Sequence, residues 1–322
     1  MSNRRIVILG KTGVGKSSLA NTIFGEKRFN IRHSVSSDTK KCQAESKSIN
    51  GRNITLIDTP GFFDTDRSEE ELKSEIVRCI TDFAPGPHAF LILLKAERFT
   101  EQEQAVITKI NQYFSEEVFK YATVVFTHGD QLPEGKTIKD FVRDNEPLRD
   151  LMKKCGGRCH VVDNKYWKNN QQDENRSNQF QVKQLLKTID KIVETNGGRY
   201  YTNEMLQKVE KMIKEEMQFI RQSHEKRSEE KIREEAKDRV SGRLWTKLAG
   251  IATGTLLGAL FGVVVMVKVV VLALEAVVPL ARSVAGVSAA LETGGAAGGA
   301  AGGAAGEAAA GAAGITGEKL LP

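Results

Sequence analysis

The feature that most constrains the fold of this 322-residue chain is a glycine-rich segment near its beginning. It follows the apolar run at residues 5–9 and precedes residues 18–24, which have one apolar face. The complete pattern G-x-x-x-x-G-K-S between a buried strand and a helix is typical of a loop that binds nucleotide phosphates, whereas a chance turn needs only part of it. The candidate binding residues are Gly10, Lys11, Thr12, Gly13, Val14, Gly15, Lys16, Ser17 and the following Ser18.

Each residue type in this loop suits a phosphate chain. Glycines let successive backbone N–H groups point at phosphate oxygens, and the helix that begins here directs the positive end of its dipole at the same anion. Lys16 brings a positive charge to the outer phosphates. Ser17 is short enough to place its hydroxyl on a Mg²⁺ ion that bridges those phosphates. We therefore predict a magnesium-dependent nucleotide site.

A second motif follows a predicted β-hairpin. Residues 41–49 and 53–58 flank an Asn-Gly dipeptide, which favours a tight turn between two strands. The second strand ends in the pattern D-x-x-G, from Asp58 to Gly61. Here Asp58 is expected to hold Mg²⁺ through a water molecule, and the Gly61 N–H is expected to meet a terminal phosphate. The pattern alone also occurs in ordinary turns, but its place after a phosphate loop favours the binding role.

The base-binding candidates follow a later strand, at residues 121–126, which ends in Thr-His-Gly-Asp. In guanine-nucleotide proteins a carboxylate at this point accepts hydrogen bonds from the guanine N1–H and amino groups, and adenine lacks that donor pair. Asp130 is therefore predicted to select guanine, because a carboxylate left unpaired by the wrong base is costly. If Asp130 is instead a solvated turn residue, an ATP-using enzyme such as a kinase stays open. Asn164, after the last predicted strand, is a further candidate for contacting the base.

The alternation of strands and helices predicts the fold class. Apolar runs of strand length alternate with amphipathic segments of helical period as far as residue 198. Five strands are expected to be parallel and the strand that opens the hairpin antiparallel, which describes a doubly wound α/β sheet of about six strands. Helices are predicted at residues 18–24, 68–83, 101–114, 137–154 and 179–193, and the later strands at 88–94, 121–126 and 159–163.

The pattern changes after residue 198. Met205, Met212 and Phe219 recur every seven residues, which predicts a long charged helix with one apolar stripe, as in a coiled coil. The last part of the chain is almost entirely Ala and Gly, cannot bury much side-chain area, and is predicted to be disordered. The predicted organisation is a nucleotide-binding domain at 1–198, a charged helical extension at 199–247, a hydrophobic segment at 248–274 and a tail at 275–322.

The hydrophobic segment has the length and composition of a membrane helix. Residues 248–267 carry no charge, and a helix of that length spans about 30 Å, the thickness of a bilayer core. Glycine recurs at every fourth position, which gives a ridge of small residues like those of packed membrane helices. We predict membrane anchoring, with a buried hairpin helix of a soluble protein as the alternative. Basic residues that favour a cytosolic main domain precede the segment: Arg239, Arg243 and Lys247.

Composition argues against several other classes. The net charge of +6 is too small to indicate a nucleic-acid partner, and none is predicted. The four cysteines form no C-x-x-C pair, so reduced thiols are expected. Cys155, Cys159 and His160 lack a second cluster that would complete a zinc site. The chain runs directly into its first strand, so no signal peptide is expected. The predicted location is the cytosolic face of an intracellular membrane, with the soluble cytoplasm as the alternative.

The block between the D-x-x-G motif and the Thr-His-Gly-Asp motif is the part of the sequence that is most characteristic of one protein family. It covers residues 78–90, ending in Ala-Pro-Gly-Pro-His-Ala-Phe, and continues at 98–103 with Arg-Phe-Thr-Glu-Gln-Glu. With these motifs the chain resembles the GTPases of the immunity-associated protein family (GIMAP or IAN), relatives of septins and chloroplast import GTPases, over about residues 4–198. The resemblance implies a six-stranded G domain, magnesium-dependent binding of GTP and GDP, and GTP-driven homodimers or oligomers formed across the nucleotide face. Other family members are a further class of partner.

The resemblance also assigns roles to individual residues. Thr39 matches the family's switch threonine, which would join Ser17 on Mg²⁺. His128 stands where many GTPases have lysine, and its ring is expected to stack on guanine. Asn164 matches the base-contacting asparagine only loosely.

The residue after D-x-x-G limits the expected catalysis. Phe62 stands where Ras-like GTPases have a water-positioning glutamine, and a phenyl ring cannot orient the attacking water, so hydrolysis by the monomer is expected to be slow. Arg98 is the candidate finger that a dimer partner supplies, worth roughly 10³–10⁵ in rate. Its alternative role is a surface ion pair. Two interpretations stay open: a slow GTPase switch that assembles in the GTP state, and a GTP-binding scaffold without significant turnover.

Overall fold

The computed structural model describes residues 3–31, 42–64, 68–97, 100–132, 135–167, 176–223 and 227–276. Two predicted site residues, Thr39 and Arg98, lie outside these ranges, as does the predicted tail from residue 277 onward. Their roles stay predictions.

A six-stranded sheet forms the centre of the described chain. The strand order is β2-β3-β1-β4-β5-β6, and β2 pairs antiparallel with β3 while the other pairs are parallel. The predicted doubly wound α/β fold is confirmed. Parallel pairing sets Ile8 beside Asp58 and Lys95 beside Thr127, so the carboxyl ends of four strands meet at one edge of the sheet. The strands are β1 Asn3–Leu9, β2 Gln43–Ile49, β3 Arg52–Asp58, β4 Ala89–Lys95, β5 Ala122–Thr127 and β6 Cys159–Val161.

Helices cover both faces of this sheet. Leu19 of α1 and Leu185 of α7 share a core with Ile6 and Ile8 of β1. The other face of the sheet packs against α2, α3, α6 and the C-terminal helices in a larger core. The helices are α1 Lys16–Phe24, α2 Glu69–Phe83, α3 Glu101–Tyr113, α4 Glu116–Lys120, α5 Ile138–Arg143, α6 Glu146–Lys154, α7 Asn178–Thr195, α8 Glu204–Ser223, α9 Glu229–Lys247, α10 Thr253–Leu260 and α11 Val264–Glu275.

The helix predicted at residues 137–154 is two helices, α5 and α6. The Thr137 hydroxyl caps α5, reciprocally with the side chain of Asp140. A second start signal follows at once, because the Asn145 side chain accepts a hydrogen bond from the Leu148 N–H and a proline lies in the first turn of α6. Proline is tolerated in the first turn of a helix but interrupts a helix interior, so α5 does not continue through this point and a new helix starts.

The apolar stripe predicted after residue 199 faces the molecule's own core. Leu206 and Ile213 of α8 are fully buried and belong to the same core as α2 and the sheet. α9 is a separate helix that lies against α8, where Arg233 forms an ion pair with Glu210 (2.7 Å). The predicted long helix is therefore two helices, and a coiled coil with another chain is not confirmed.

The hydrophobic segment at 248–274 is divided as well. Gly262, at φ +82°, and a hydrogen bond from the Val263 N–H to the Gly258 carbonyl (2.8 Å) end α10 in a Schellman-type turn. Among the described residues no single helix has the length and hydropathy to cross a membrane, while α10 and α11 together reach both at a bend of 108°. The predicted continuous helix is interrupted because glycine permits the left-handed conformation at this turn.

The predicted glycine ridge is used for close packing within this chain. A Cβ at Gly258 would lie 1.9 Å from the Met266 sulfur, so α10 and α11 approach closely there. Three of the four ridge glycines lie against side chains of the same molecule: Gly254 against Tyr113, Gly258 against Met266, and Gly262 against Tyr201.

The Ala-Pro-Gly-Pro block joins β1 to the chain segment that precedes α8. Gly86, at φ +145°, leaves room for the backbone of Tyr201, whose carbonyl oxygen would lie 1.7 Å from a Cβ at position 86. The Gly86 carbonyl accepts hydrogen bonds from the Arg5 guanidinium (2.8 and 2.6 Å), and the Tyr201 N–H donates to the Pro87 carbonyl. This joint fixes the start of the C-terminal helices against β1.

Candidate nucleotide-binding site

The phosphate loop connects β1 to α1. Gly15, at φ +93°, caps α1 in a left-handed conformation that residues with side chains rarely adopt. The buried Lys16 donates from Nζ to the carbonyls of Gly10 and Lys11, both at 3.0 Å. The loop thus closes around an ammonium group at the N-terminus of a helix, an arrangement suited to binding an anion.

Asp58 is completely buried at the end of β3. Its Oδ2 accepts a hydrogen bond from the Ser17 hydroxyl, and its Oδ1 has no hydrogen-bond partner in the described part of the chain. Burial raises the pKa of Asp58, against the opposing influence of Lys16 and of the Ser17 hydrogen bond. A buried, unpaired carboxylate oxygen is costly unless a cation or an ordered water pairs with it. Ser17 and Asp58 therefore present the oxygen ligands that Mg²⁺ prefers.

Gly61, predicted to meet a terminal phosphate, lies against the phosphate loop. A Cβ at this position would lie 2.5 Å from Thr12 Oγ1, so any other residue would displace its neighbours. The Asp64 carboxylate occupies the same place: Oδ1 accepts from the Thr12 N–H (2.7 Å) and Oδ2 from the Thr12 hydroxyl (2.5 Å). The sequence analysis missed Asp64, which lies three residues beyond the motif with no pattern to mark it.

The base-binding loop is tied directly to the phosphate loop. The hydroxyl of the buried Thr127 donates to the Val14 carbonyl (2.8 Å), a contact between residues 113 positions apart. His128 follows in a left-handed conformation, with Nδ1 3.0 Å from the Thr127 hydroxyl. Trp167 packs so closely on Gly129 that a Cβ there would lie 2.5 Å from its ring. Thr127, which the sequence analysis did not assign, thus positions the loop that carries the predicted guanine contacts.

Asp130 lies beside a second carboxyl group, that of Asp163. The Gln131 side chain donates to Asp130 Oδ2 (2.6 Å), while Asp163 accepts from the backbone N–H groups of Lys165 (2.9 Å) and Tyr166. Burial and then the contact with Asp163 raise the pKa of Asp130. Burial also acts to raise the pKa of Asp163, but Asp130 and the backbone donors outweigh it and lower that pKa. The contact thus raises the pKa of Asp130 and lowers that of Asp163, and N–H donors from guanine would stabilise the charged form of Asp130.

Asn164 lies beside the phosphate loop. Its Oδ1 accepts from the Thr22 hydroxyl (2.9 Å), and its Nδ2 would lie 3.2 Å from a Cβ at Gly15. A cavity of about 930 Å³ opens between α1, α7 and the β2–β3 turn, and Ser18 and Asn164 are among the residues that line it. Lys16 and Asp130 do not line this cavity, so it adjoins the predicted nucleotide site and does not contain it.

The N-terminus of α3 also reaches the phosphate loop. The Lys11 ammonium forms an ion pair with the buried Glu103, which accepts a further hydrogen bond from the Thr100 hydroxyl. Burial opposes ionisation of Glu103, but these two contacts outweigh it and lower its pKa. Lys11 therefore has a carboxylate partner in place, which the sequence analysis did not foresee.

Comparison with known proteins places the chain in a family. A sequence profile described as the AIG1 family matches residues 4–222, more than half of the chain. The chain belongs to the AIG1 family. The match includes the whole sheet and almost all of α8, and it stops before α9.

Curated relatives of this AIG1-family chain come from plants and animals. Immune-associated nucleotide-binding protein 7 of Arabidopsis thaliana is 36% identical over 225 residues, covering 68% of this chain and 69% of that protein. Immune-associated nucleotide-binding protein 10 of the same plant is 35% identical, with 64% and 44% covered. GTPase IMAP family member 8 of Homo sapiens is 34% identical, with 63% and 30% covered. The chain thus spans less than half the length of the last two relatives.

A solved structure with a similar fold is Toc33 of Arabidopsis thaliana in complex with Mg²⁺ and GMPPNP. Its TM-score is 0.48 at 21% identity, covering 63% of the AIG1-family chain and 89% of Toc33. At this identity the likeness concerns the fold alone.

Phe62 of the AIG1-family chain lies in the hydrophobic core. Its side chain is 1% exposed and packs edge to face on Phe261, with ring centroids 6.4 Å apart. Phe63 is equally buried and packs on Phe114, with centroids 6.3 Å apart. The position after D-x-x-G therefore contributes to packing between the loop and the C-terminal helices.

Proposed function

We propose that the chain is a guanine-nucleotide-binding switch that binds GTP and GDP with Mg²⁺. The observation that carries the proposal is the direct joining of the phosphate loop to the loop of Asp130, through the hydrogen bond from Thr127 to Val14. One ligand with phosphates at one end and a purine at the other would span both loops. The names of the relatives, which include nucleotide-binding proteins and a GTPase, support this proposal.

The proposed Mg²⁺ ion would be held by Ser17 directly and by Asp58 through water, and Thr39 is proposed as a further ligand on the family resemblance. The unpaired Oδ1 of Asp58 supports this assignment, because a metal-bound water would satisfy it. When bound, the ion neutralises part of the charge on the outer phosphates. Lys16 then stabilises the same phosphates from the loop side.

Guanine is the proposed base because Asp130 is the acceptor placed at the end of β5. Burial and the neighbouring Asp163 raise the pKa of Asp130, and a ligand that brings two N–H donors would stabilise its carboxylate form. Adenine offers no such donor pair. An ATP-using enzyme is therefore the less favoured alternative.

We further propose slow hydrolysis by the monomer and assembly across the nucleotide face. The burial of Phe62 in the core supports slow turnover, since its ring is engaged by Phe261 and not by a reacting water. Arg98 from a partner is the proposed finger. A scaffold that binds GTP without significant turnover is the second candidate, and the same burial of Phe62 favours it.

Nucleotide titration and gel filtration of the full chain test these proposals. We expect GDP and GTP to compete with a fluorescent GDP analogue at least about 10³-fold better than ATP, because adenine lacks both donors. We expect a dimer with GMPPNP and a monomer with GDP. Equal competition by ATP would refute guanine selectivity.

Turnover per molecule that rises with protein concentration favours the GTPase over the scaffold, and an unaffected Arg98→Ala variant would exclude the finger.

The α10–α11 pair is the proposed membrane anchor, on the cytosolic face of an intracellular membrane. One face of α11 is buried on the protein, while Val264, Val265 and Leu272 are 64% to 71% exposed, with Lys268 also exposed among them. An apolar helix face flanked by a basic residue suits the interface of an anionic bilayer. A soluble cytoplasmic protein is the alternative.

Flotation with liposomes that contain phosphatidylserine tests the anchor. The full chain is expected to float with the liposomes. A Val264→Ser, Val265→Ser double variant is expected to stay mostly in the soluble fraction, because each change removes roughly 1.5–3 kcal/mol of burial. As a matched control, an Ile31→Ser, Tyr166→Ser double variant, at two exposed apolar positions outside α10 and α11, is expected to float as the wild type does. Recovery of the wild-type chain in the soluble fraction would contradict the proposal.

A further inference from the structure

Asp64 has a contact that none of the predicted roles requires. Both of its carboxylate oxygens bind Thr12, the third residue of the phosphate loop, at 2.7 and 2.5 Å. One bond goes to the backbone N–H and the other to the hydroxyl, so the carboxylate is held at two points. The Asp64 carboxylate is thus bound to the phosphate loop.

The turn that presents Asp64 is anchored on several sides. Phe62 and Phe63, each 1% exposed, fix it in the core. The Lys109 ammonium donates to the Asp64 carbonyl (2.8 Å), and the Asp64 N–H donates to the Gly61 carbonyl (3.2 Å). The position of the carboxylate is therefore set by buried packing and backbone hydrogen bonds.

The carboxylate also lies in contact with Gly61. A Cβ at Gly61 would lie 2.2 Å from Asp64 Oδ2, so the absence of a side chain there makes room for this oxygen. Gly61 is the residue proposed to meet the terminal phosphate. Asp64 thus places a negative charge at the end of the site where a triphosphate and a diphosphate differ.

The Asp64 carboxylate has no ion-pair partner among the described residues, since the nearby Lys109 ammonium binds the backbone carbonyl of Asp64. The partners of the Asp64 carboxylate are neutral donors of Thr12, and no ion pair to it is formed within the described ranges. Lys11, next to Thr12 on the phosphate loop, is already paired with Glu103. A terminal phosphate would therefore meet an unneutralised carboxylate.

We propose that Asp64 is a specificity-determining residue that lowers the affinity for guanosine triphosphate relative to diphosphate. Its charge repels the additional phosphate, and its bonds to Thr12 must loosen or shift when that phosphate is seated. The inference rests on the proposed guanine-nucleotide function. It adds a reason for the protein to favour the diphosphate state when no partner neutralises Asp64.

The test compares Kd for GDP and for GMPPNP, with Mg²⁺, in the full chain and in Asp64→Asn. Asparagine removes the charge and keeps both bonds, because its oxygen accepts from the Thr12 N–H and its amide donates to the hydroxyl. We expect the ratio of GMPPNP affinity to GDP affinity to rise about tenfold, with GDP affinity changed less than about threefold, from the loss of one like charge a few ångströms away. Raising the salt concentration should reduce the difference.

Glu117→Gln, an equal change of charge at an exposed position of α4, is the control and should leave the ratio unchanged. An unchanged ratio in Asp64→Asn would overturn the proposal, even if Asp64→Ala alters it, since that result would assign the effect to hydrogen bonding. Failure of the wild-type chain to bind either nucleotide would instead refute the proposed function, so the two failures are distinct.

Discussion

Asp130→Asn is expected to lower the affinity for GDP on the order of 10²–10³-fold and to create affinity for xanthosine diphosphate. Guanine offers N–H donors that a carboxylate accepts, whereas xanthine carries a carbonyl oxygen in place of the amino group. An asparagine amide can donate to that carbonyl, and it cannot accept both guanine donors. The change keeps the shape of the side chain, so the Thr127 bond to the phosphate loop should persist.

The measurement is competition of GDP and xanthosine diphosphate against a fluorescent nucleotide. Asp144→Asn, at the exposed end of α5, is the matched control and should keep the wild-type preference for GDP. If Asp130→Asn binds GDP as tightly as the wild type, Asp130 does not contact the base.

Ser17→Ala is expected to abolish most of the Mg²⁺ dependence of nucleotide binding. In the wild type, chelation of Mg²⁺ should weaken GTP binding by about 10²-fold, since a metal that clamps the phosphates contributes several kcal/mol. The variant loses a ligand and leaves Asp58 without the partner of its Oδ2. Its affinity should therefore be low already and should change less than about threefold on chelation.

Isothermal titration with and without a chelator measures this effect. Ser74→Ala removes a hydroxyl that bonds to a carbonyl on α2, away from the phosphate loop, and should retain full Mg²⁺ dependence. A Ser17→Ala variant that responds to chelation as strongly as the wild type would show that Ser17 does not bind the metal.

The sheet and most helices were predictable because their signals are local. β4 and β5 are continuous apolar runs, as expected of parallel strands buried on both faces. The segment at 248–274 was not predictable in the same way. Its hydropathy is that of a membrane helix, but the turn at Gly262 and the packing of Phe261 depend on partners such as Phe114, more than a hundred residues earlier.

In the candidate site, too, residues marked by local motifs were predictable and residues placed by long-range contacts were not. Gly61, Asp58 and Asp130 were predicted from motifs, because each motif fixes the residue types that a strand end presents, and their binding roles stay predictions. Thr127 and Glu103 were not assigned, since their contacts to Val14 and Lys11 join segments about a hundred residues apart. For Thr127 a signal existed: it is the last residue of β5 and the first position of the Thr-His-Gly-Asp motif.

The contact between Phe62 and Phe261 is a route for energetic coupling between the D-x-x-G loop of the nucleotide site and the α10–α11 pair. Seating a terminal phosphate on Gly61 and detaching α10 from the core both act on the surroundings of one ring. Coupling between two binding events is reciprocal. If a terminal phosphate raises the membrane affinity of the α10–α11 pair by some factor, then membrane binding raises the affinity for that phosphate by the same factor. The bilayer would in that case be an allosteric effector of the nucleotide site as well as its anchor.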